Sequence, residues 1–218
     1  MKIKCWCYRI FFYILSLVIL ALGITLNTKT GMGVSPIISV SYNIAKIFDL
    51  NFGNVTFVLY TVFVVVQLVI RGKNRRYHDL LQILVSIVFT RFLNIFDMFL
   101  PIHFETLWQN LLLLLLAVVF TGIGAALSVN MQLVPNPGDG IVGAIADVTH
   151  KEMGFTKNVF DLSNVCFSLI LGFAAGKPFQ GIGVGTIITM LGVGRVVAVF
   201  NYFCKERMAV RAGLDSGN

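Results

Sequence analysis

Six apolar stretches, each close to the length needed to cross a bilayer, take up most of this chain and leave little room for any other architecture. They cover residues 10–27, 55–71, 79–100, 106–129, 158–175 and 181–204. A hydrocarbon core of about 30 Å takes about 20 helical residues, and in lipid only a helix or a closed barrel satisfies its own backbone. By length and apolar character all six qualify as helical spans, so an all-α integral membrane protein with six transmembrane helices is predicted. Hydrophobic residues make up 57% of the chain and charged ones 12%, which excludes a soluble globular domain. The net charge of +7 does not point to nucleic acid. The basic residues cluster at the edges of apolar runs, where they face head groups and cytosol, so the lipid bilayer is the expected partner. The basic start MKIKCWCYR precedes an apolar run, as in a signal sequence, but no small-x-small cleavage site follows it. An uncleaved first helix is expected.

Two further segments, 36–48 and 137–149, have helical apolar spacing but are too short to cross. Both open with a cap-then-proline order, Ser35-Pro36 and Asn136-Pro137. Proline suits the first helical position, and serine and asparagine suit the cap before it. Asp139 adds an acid in the first turn, favoured by the helix dipole. Each is predicted to be a half-helix or re-entrant segment that returns to the side it left. In the first, Ile37, Val40, Ile44 and Ile47 form an apolar stripe from which Ser39, Asn43 and Lys46 are absent. On that reading, lysine and arginine concentrate on one face. Lys2, Lys4, Arg9, Arg71, Lys73, Arg75, Arg76, Lys151, Lys157, Lys205, Arg207 and Arg211 lie together, against Lys29, Lys46 and Lys177 on the other. The positive-inside rule then puts both termini in the cytoplasm.

The halves of the chain resemble each other. At one constant offset Gly23 falls on Gly124, Leu26 on Leu127, Pro36 on Pro137, Ala45 on Ala146 and Gly53 on Gly154. After a short insertion, a second constant offset pairs Asn54-Val55 with Asn158-Val159, Gly72-Lys73 with Gly176-Lys177 and Arg91 with Arg195. The expected organisation is a first repeat at 1–104, holding spans one to three and the short helix 36–48. A second repeat follows at 105–204, with spans four to six and the short helix 137–149, and then a cytoplasmic basic tail at 205–218. Three crossings per half make the repeats inverted, a plan shared by secondary transporters and by channels with half-helices. Their sites lie near the midplane, between repeats.

Arg91 and Arg195 each lie about 14 Å along a span from its end, and a lipid-facing arginine there is costly. Both are expected to face the interior or a water-filled cavity. There they bind an anionic group of a substrate, or clamp free carbonyls or a carboxylate such as Asp139 or Asp161. Asp161 reads as a solvated first-turn acid of the fifth span; placed deeper, it becomes a counter-ion or proton carrier. The substrate-binding candidates are therefore Arg91, Arg195, Ser35, Pro36, Asn136, Pro137, Asp139 and Asp161. The run GIGVGTIITMLGVGR has no GxxxxGK[ST] and lies in an apolar span, so its glycines read as close helix packing. No nucleophile-base pair, metal-ligand spacing or paired carboxylate set occurs, so neither an enzyme nor a cofactor or metal is expected.

GMGVSP (31–36), NPGDGIVGAI (136–145) and GIGVGTIITMLGVG (181–194) resemble the repeated signatures of the YczE/YyaS/YitT group of bacterial membrane proteins. The resemblance covers about residues 10–204 and is closest to the YczE side. It implies a multi-pass protein of the bacterial cytoplasmic membrane and maps Gly33, Pro36, Pro137, Asp139, Gly140, Gly183, Gly185 and Thr186 onto the group's elements. Relatives often carry Trp-Asp where this chain has Ile37-Ile38, so its first short segment lacks an acid. The function expected from these readings is a small-molecule transporter or exporter with an anionic or zwitterionic substrate between the repeats. The alternative is a non-transporting scaffold, accessory or substrate-capture subunit, working through the basic 71–76 loop and tail. A homodimer or a membrane partner protein is the expected assembly.

Overall fold

Two prolines fix where the short helices begin, and the chain around them is helical on both sides. The computed structural model describes residues 2–74 and 77–214. Among these, the long elements are α1 (Lys2–Lys29), α3 (Phe52–Arg71), α4 (Leu81–Phe99), α5 (Leu107–Asn130), α7 (Met153–Ala174) and α8 (Val184–Ala212). The short ones are α2 (Pro36–Ile47) and α6 (Pro137–Thr149), and two 3-10 turns, Gly72–Asn74 and Tyr77–Leu80, join α3 to α4. Arg75 and Arg76 of the predicted basic loop, and residues 215–218 of the predicted tail, lie outside the described residues.

Five of these helices, α1, α3, α4, α5 and α8, are long and apolar enough to cross a membrane. The fifth predicted span is also a helix of sufficient length, α7, but Lys157, Asn158, Asp161 and Asn164 dilute its hydropathy and it is not among the five. The tail is not separate from the last span. The helix runs on past Cys204 to Ala212, and Met208 and Ala212 are buried with Tyr13, Leu17, Leu127 and Met131.

Polar contacts sort the helix ends into two groups. At one end Arg9 donates to the Met131 carbonyl at 3.0 Å, and Arg71 pairs with Asp79 and, at 3.0 Å, with Asp147. At the other, Lys29 pairs with Asp97. There a polar cavity of about 440 Å³ opens between Lys29, Tyr42, Lys46, Asp49, Asp97 and His103. The carboxyl end of α2 therefore lies with that of α1, and the carboxyl end of α6 with that of α3. Each short helix returns to the side its chain came from.

Lipid tails are as apolar as leucine, so helices in a bilayer associate through close backbone approach and polar contacts rather than through apolar burial. The α1–α5 crossing is built this way. A Cβ on Gly23 would lie 2.5 Å from the Thr121 backbone nitrogen, and one on Gly124 would lie 2.6 Å from that of Leu20. On α2 the same physics buries polar residues: Ser39, Ser41 and Asn43 are buried, while of the expected apolar stripe Val40 is buried and Ile37, Ile44 and Ile47 are half-buried.

Candidate functional site

The segments before α2 and α8 are held backbone to backbone. Val34 N–H donates to the Gly181 carbonyl, and Gly185 N–H to that of Met32, both at 2.8 Å. Gly33, at φ +109°, would place a Cβ 2.6 Å from the Gly183 nitrogen, so glycine is required there by both conformation and space. Asn27 ties this junction to α1 and α8. Its side-chain oxygen accepts from Ser35 N–H at 2.9 Å, and its amide donates to the Thr189 hydroxyl at 3.3 Å.

The start of α6 approaches from the other half. Asn136, buried, caps it by accepting from Gly138 N–H at 3.1 Å. A Cβ on Gly138 would meet the tip of Ile37 at 2.3 Å, so the first turns of α2 and α6 touch. Gln67 and Gln82, both fully buried, exchange amide hydrogen bonds of 3.2 and 3.1 Å, and Gln67 also donates to the Pro137 carbonyl at 3.4 Å. Gly140 lets α6 settle onto this pair, since a Cβ there would be 2.6 Å from the Gln82 oxygen. The three glycine-rich motifs of the sequence thus surround one centre, where the starts of α2, α6 and α8 converge. Pro36 and Pro137 hold the expected first helical positions, but only one cap is made, because Ser35 has no side-chain cap bond. Asn136→Ala is accordingly expected to cost about 1 kcal/mol, and Ser35→Ala close to nothing, as measured by unfolding in detergent.

The charged part of the site comes from α6 and α7. Lys157 stands between two carboxylates, 3.7 Å from Asp139 and 3.9 Å from Asp161. Asp161 is not a solvated first-turn acid: it lies in the third turn of α7 and is only 5% exposed. Its Oδ1 is buried and has no hydrogen-bond partner among the described residues. The register of α2 on α7 shows what lies beside it. Ser39 donates to the Asn164 carbonyl, and Asn43 to that of Ser168 at 2.8 Å, each pair 125 residues apart. One turn further down, the same register sets Asp161 level with Pro36, at the start of α2.

Neither arginine reaches this centre, and of the two expected surroundings, the interior or a water-filled cavity, the interior is corrected, because both side chains are exposed. Arg91 is exposed and donates to the Asn54 side chain at 2.6 Å, across the α3–α4 seam. Arg195 is exposed and has no side-chain partner among the described residues. The buried face of α4 is Gln82, Ser86, Phe89, Thr90 and Leu93, and that of α8 lies mainly near its two ends. Both arginines project from the opposite surfaces. Lys157, counted among the basic residues of the expected cytoplasmic face, pairs with both carboxylates of the candidate site. Gln67, Gln82 and Asn164 join the site without having been expected there; an uncharged amide inside an apolar span is the signal that marks each of them in the sequence. Arg71, assigned to a surface loop, is nearly buried between Asp79 and Asp147.

A family profile described as "Family of unknown function (DUF6198)" matches residues 7–202. The chain is 25% identical over 208 residues to the "Uncharacterized membrane protein YczE" of Bacillus subtilis (strain 168), covering 91% of each chain. It is 24% identical over 196 residues to the "Uncharacterized protein YyaS" of the same organism, covering 87% of this chain and 90% of that one. No solved structure matches.

Proposed function

The chain belongs to the DUF6198 family, a family of unknown function, and on that premise we propose that it is a small-molecule carrier of the bacterial cytoplasmic membrane. Its zwitterionic substrate binds where the starts of α2, α6 and α8 converge. The observation that carries this reading is the unpartnered Asp161 oxygen, buried at mid-helix beside Lys157 and Asp139. An intramembrane ionisable group marks a substrate or ion pathway by default. Two carboxylates and one lysine leave one negative charge, and each helix start contributes roughly half a positive one. The sum lies near neutrality and the charges are separated in space. A ligand with an amine for Asp161 and an acidic group for the helix starts fits that pattern better than a simple anion.

The carrier is built from two inverted repeats, with α7 as the sixth crossing. The close contacts of the α1–α5 crossing support this, because Gly23 meets Thr121 as Gly124 meets Leu20, and the four residues correspond at a single offset. The packing of α2 on α7 likewise mirrors that of α6 on α3. Lys4, Arg9, Arg71, Lys73 and Lys205 share the end at which α1 begins, which supports a cytoplasmic orientation for that end.

The test is a thermal-shift panel of zwitterions, anions and cations on the purified protein, followed by flux of any stabilising compound into proteoliposomes. A zwitterion is expected to raise the melting temperature and to cross only protein-bearing vesicles. A stabilising compound that enters protein-free vesicles equally fast removes the carrier reading. A second reading, an accessory subunit, draws on α8, whose apolar stretch is only 6% buried. A stoichiometric partner on purification, without flux, would favour it.

A further inference from the structure

The two halves of the chain carry the same polar pair on consecutive helices, and only one of the pairs is made. In the first half Arg91 of α4 donates to Asn54 of α3 at 2.6 Å, across a tight seam. Gly53 N–H donates to Asn94 at 3.1 Å, and a Cβ on Gly53 would lie 2.3 Å from that side-chain oxygen and 2.7 Å from the Thr90 carbonyl. In the second half the corresponding residues are Asn158 of α7 and Arg195 of α8. Both are exposed, and among the described residues neither side chain has a hydrogen-bond or ion-pair partner. Here α7 and α8 lack the packing that joins α3 to α4.

Small residues line the open seam on both sides. Gly154 lies one helical turn before Asn158 on α7, and at the offset that pairs Arg91 with Arg195, Gly194 replaces Thr90 and Ala198 replaces Asn94. Nothing lies within 4 Å of a Cβ on Gly154 or Gly194. Those two positions are open, and a guanidinium in mid-span has no acceptor in lipid tails.

We infer that the α7–α8 seam closes in a second conformation of this protein, in which Arg195 donates to Asn158 as Arg91 does to Asn54. The inference rests on reading the halves as repeats, not on carrier activity. Its consequence for the site is direct. Asn158 follows Lys157 and precedes Asp161 on α7, so closing the seam moves the wall of the site that holds both charges.

The test needs no substrate. With Cys5, Cys7, Cys166 and Cys204, all free thiols, replaced by serine, Gly154→Cys and Ala198→Cys are introduced together and the protein is oxidised in lipid vesicles. A disulfide needs Cα atoms within about 7 Å, so it reports closure. An intramolecular link is expected by mass spectrometry, forming several-fold more slowly once Arg195→Ala is added and unchanged by Arg91→Ala. Three results would each overturn the inference. One is no link although both thiols react with a soluble maleimide; another is a link whose rate ignores Arg195→Ala. The third is a link only between two copies, which would give this face to a dimer. Failure of the flux assay would leave the crosslink untouched, so the two readings fall separately.

Discussion

Leucine at Gly23 is expected to prevent the chain from reaching this fold, and alanine there already to cost about 1–3 kcal/mol, the usual range for overpacking. The α1–α5 crossing sits at the centre of the bundle, with α4 and α8 packed on its flanks. A Cβ at Gly23 meets Thr121 backbone at 2.5 Å and the Ala117 carbonyl at 3.0 Å, and backbone gives way less easily than a flexible side chain. Leucine would force the helices apart and break the close contacts at Gly124 as well. Gly124→Leu is therefore expected to match it. Gly143→Ala serves as the control, since its nearest neighbour would be 3.9 Å away. There alanine's higher helix propensity is expected to be neutral or stabilising by up to about 1 kcal/mol. Unfolding in mixed detergent micelles measures all of these. A Gly23→Ala protein as stable as wild type would show that the crossing is looser than described.

Asp161→Asn is expected to weaken substrate binding by roughly 10- to 150-fold while leaving the fold intact. This is the value of a charge-assisted hydrogen bond, about 1.5–3 kcal/mol, converted at 1.4 kcal/mol per tenfold. Asparagine keeps the shape and removes the charge, so the loss reads electrostatics rather than packing. Stability reports the same cluster with the opposite logic. Lys157→Met leaves two carboxylates without their cation, and removing one partner of a buried pair costs 3–5 kcal/mol. Here Lys157 is 41% exposed and its contacts are long, so about 1–2 kcal/mol is expected. Adding Asp161→Asn to Lys157→Met should then recover part of the loss, a coupling that a double-mutant cycle measures. Additive losses would show that the two residues do not act as a pair. An Asp161→Asn protein with unchanged ligand affinity would remove the acid from the site.

Where the sequence was legible, the reason was local. Pro36 and Pro137 lack an N–H and have φ fixed, so they start helices whatever surrounds them, and α2 and α6 begin there. Asn136 caps as expected for the same reason, whereas the Ser35 hydroxyl does not, because Asn27 orders that turn through its backbone instead. The direction of a side chain around its helix is a different kind of fact. The cost of arginine in lipid directs Arg91 and Arg195 to the interior or to a water-filled cavity, and the structure leaves both exposed. Nothing within a single helix says which neighbours cover it, and α8 leaves most of its apolar stretch uncovered.

The burial of Asp161 differs from its expected solvation for a related reason. Its position along the chain places it about 12 Å into α7 at 1.5 Å per residue, but depth alone gave no partner. Lys157, Asp139 and the start of α2 meet it only because α7 lies in register with α2 while α6 enters from the other half.

The sequence by itself determined that this is an all-helical membrane protein, where its helices and its two proline-led interruptions lie, and which motifs mark its centre. These follow from hydropathy, segment length and the backbone rules of proline, which act within one segment. Only the tertiary structure decided that the motifs enclose an acidic pair sharing one lysine, that the arginines stand outside it, and that one seam is shut and its counterpart open. Those outcomes depend on how helices far apart in sequence come to pack side by side. In lipid, small residues and polar contacts choose that packing, and a pattern of apolar residues does not encode it.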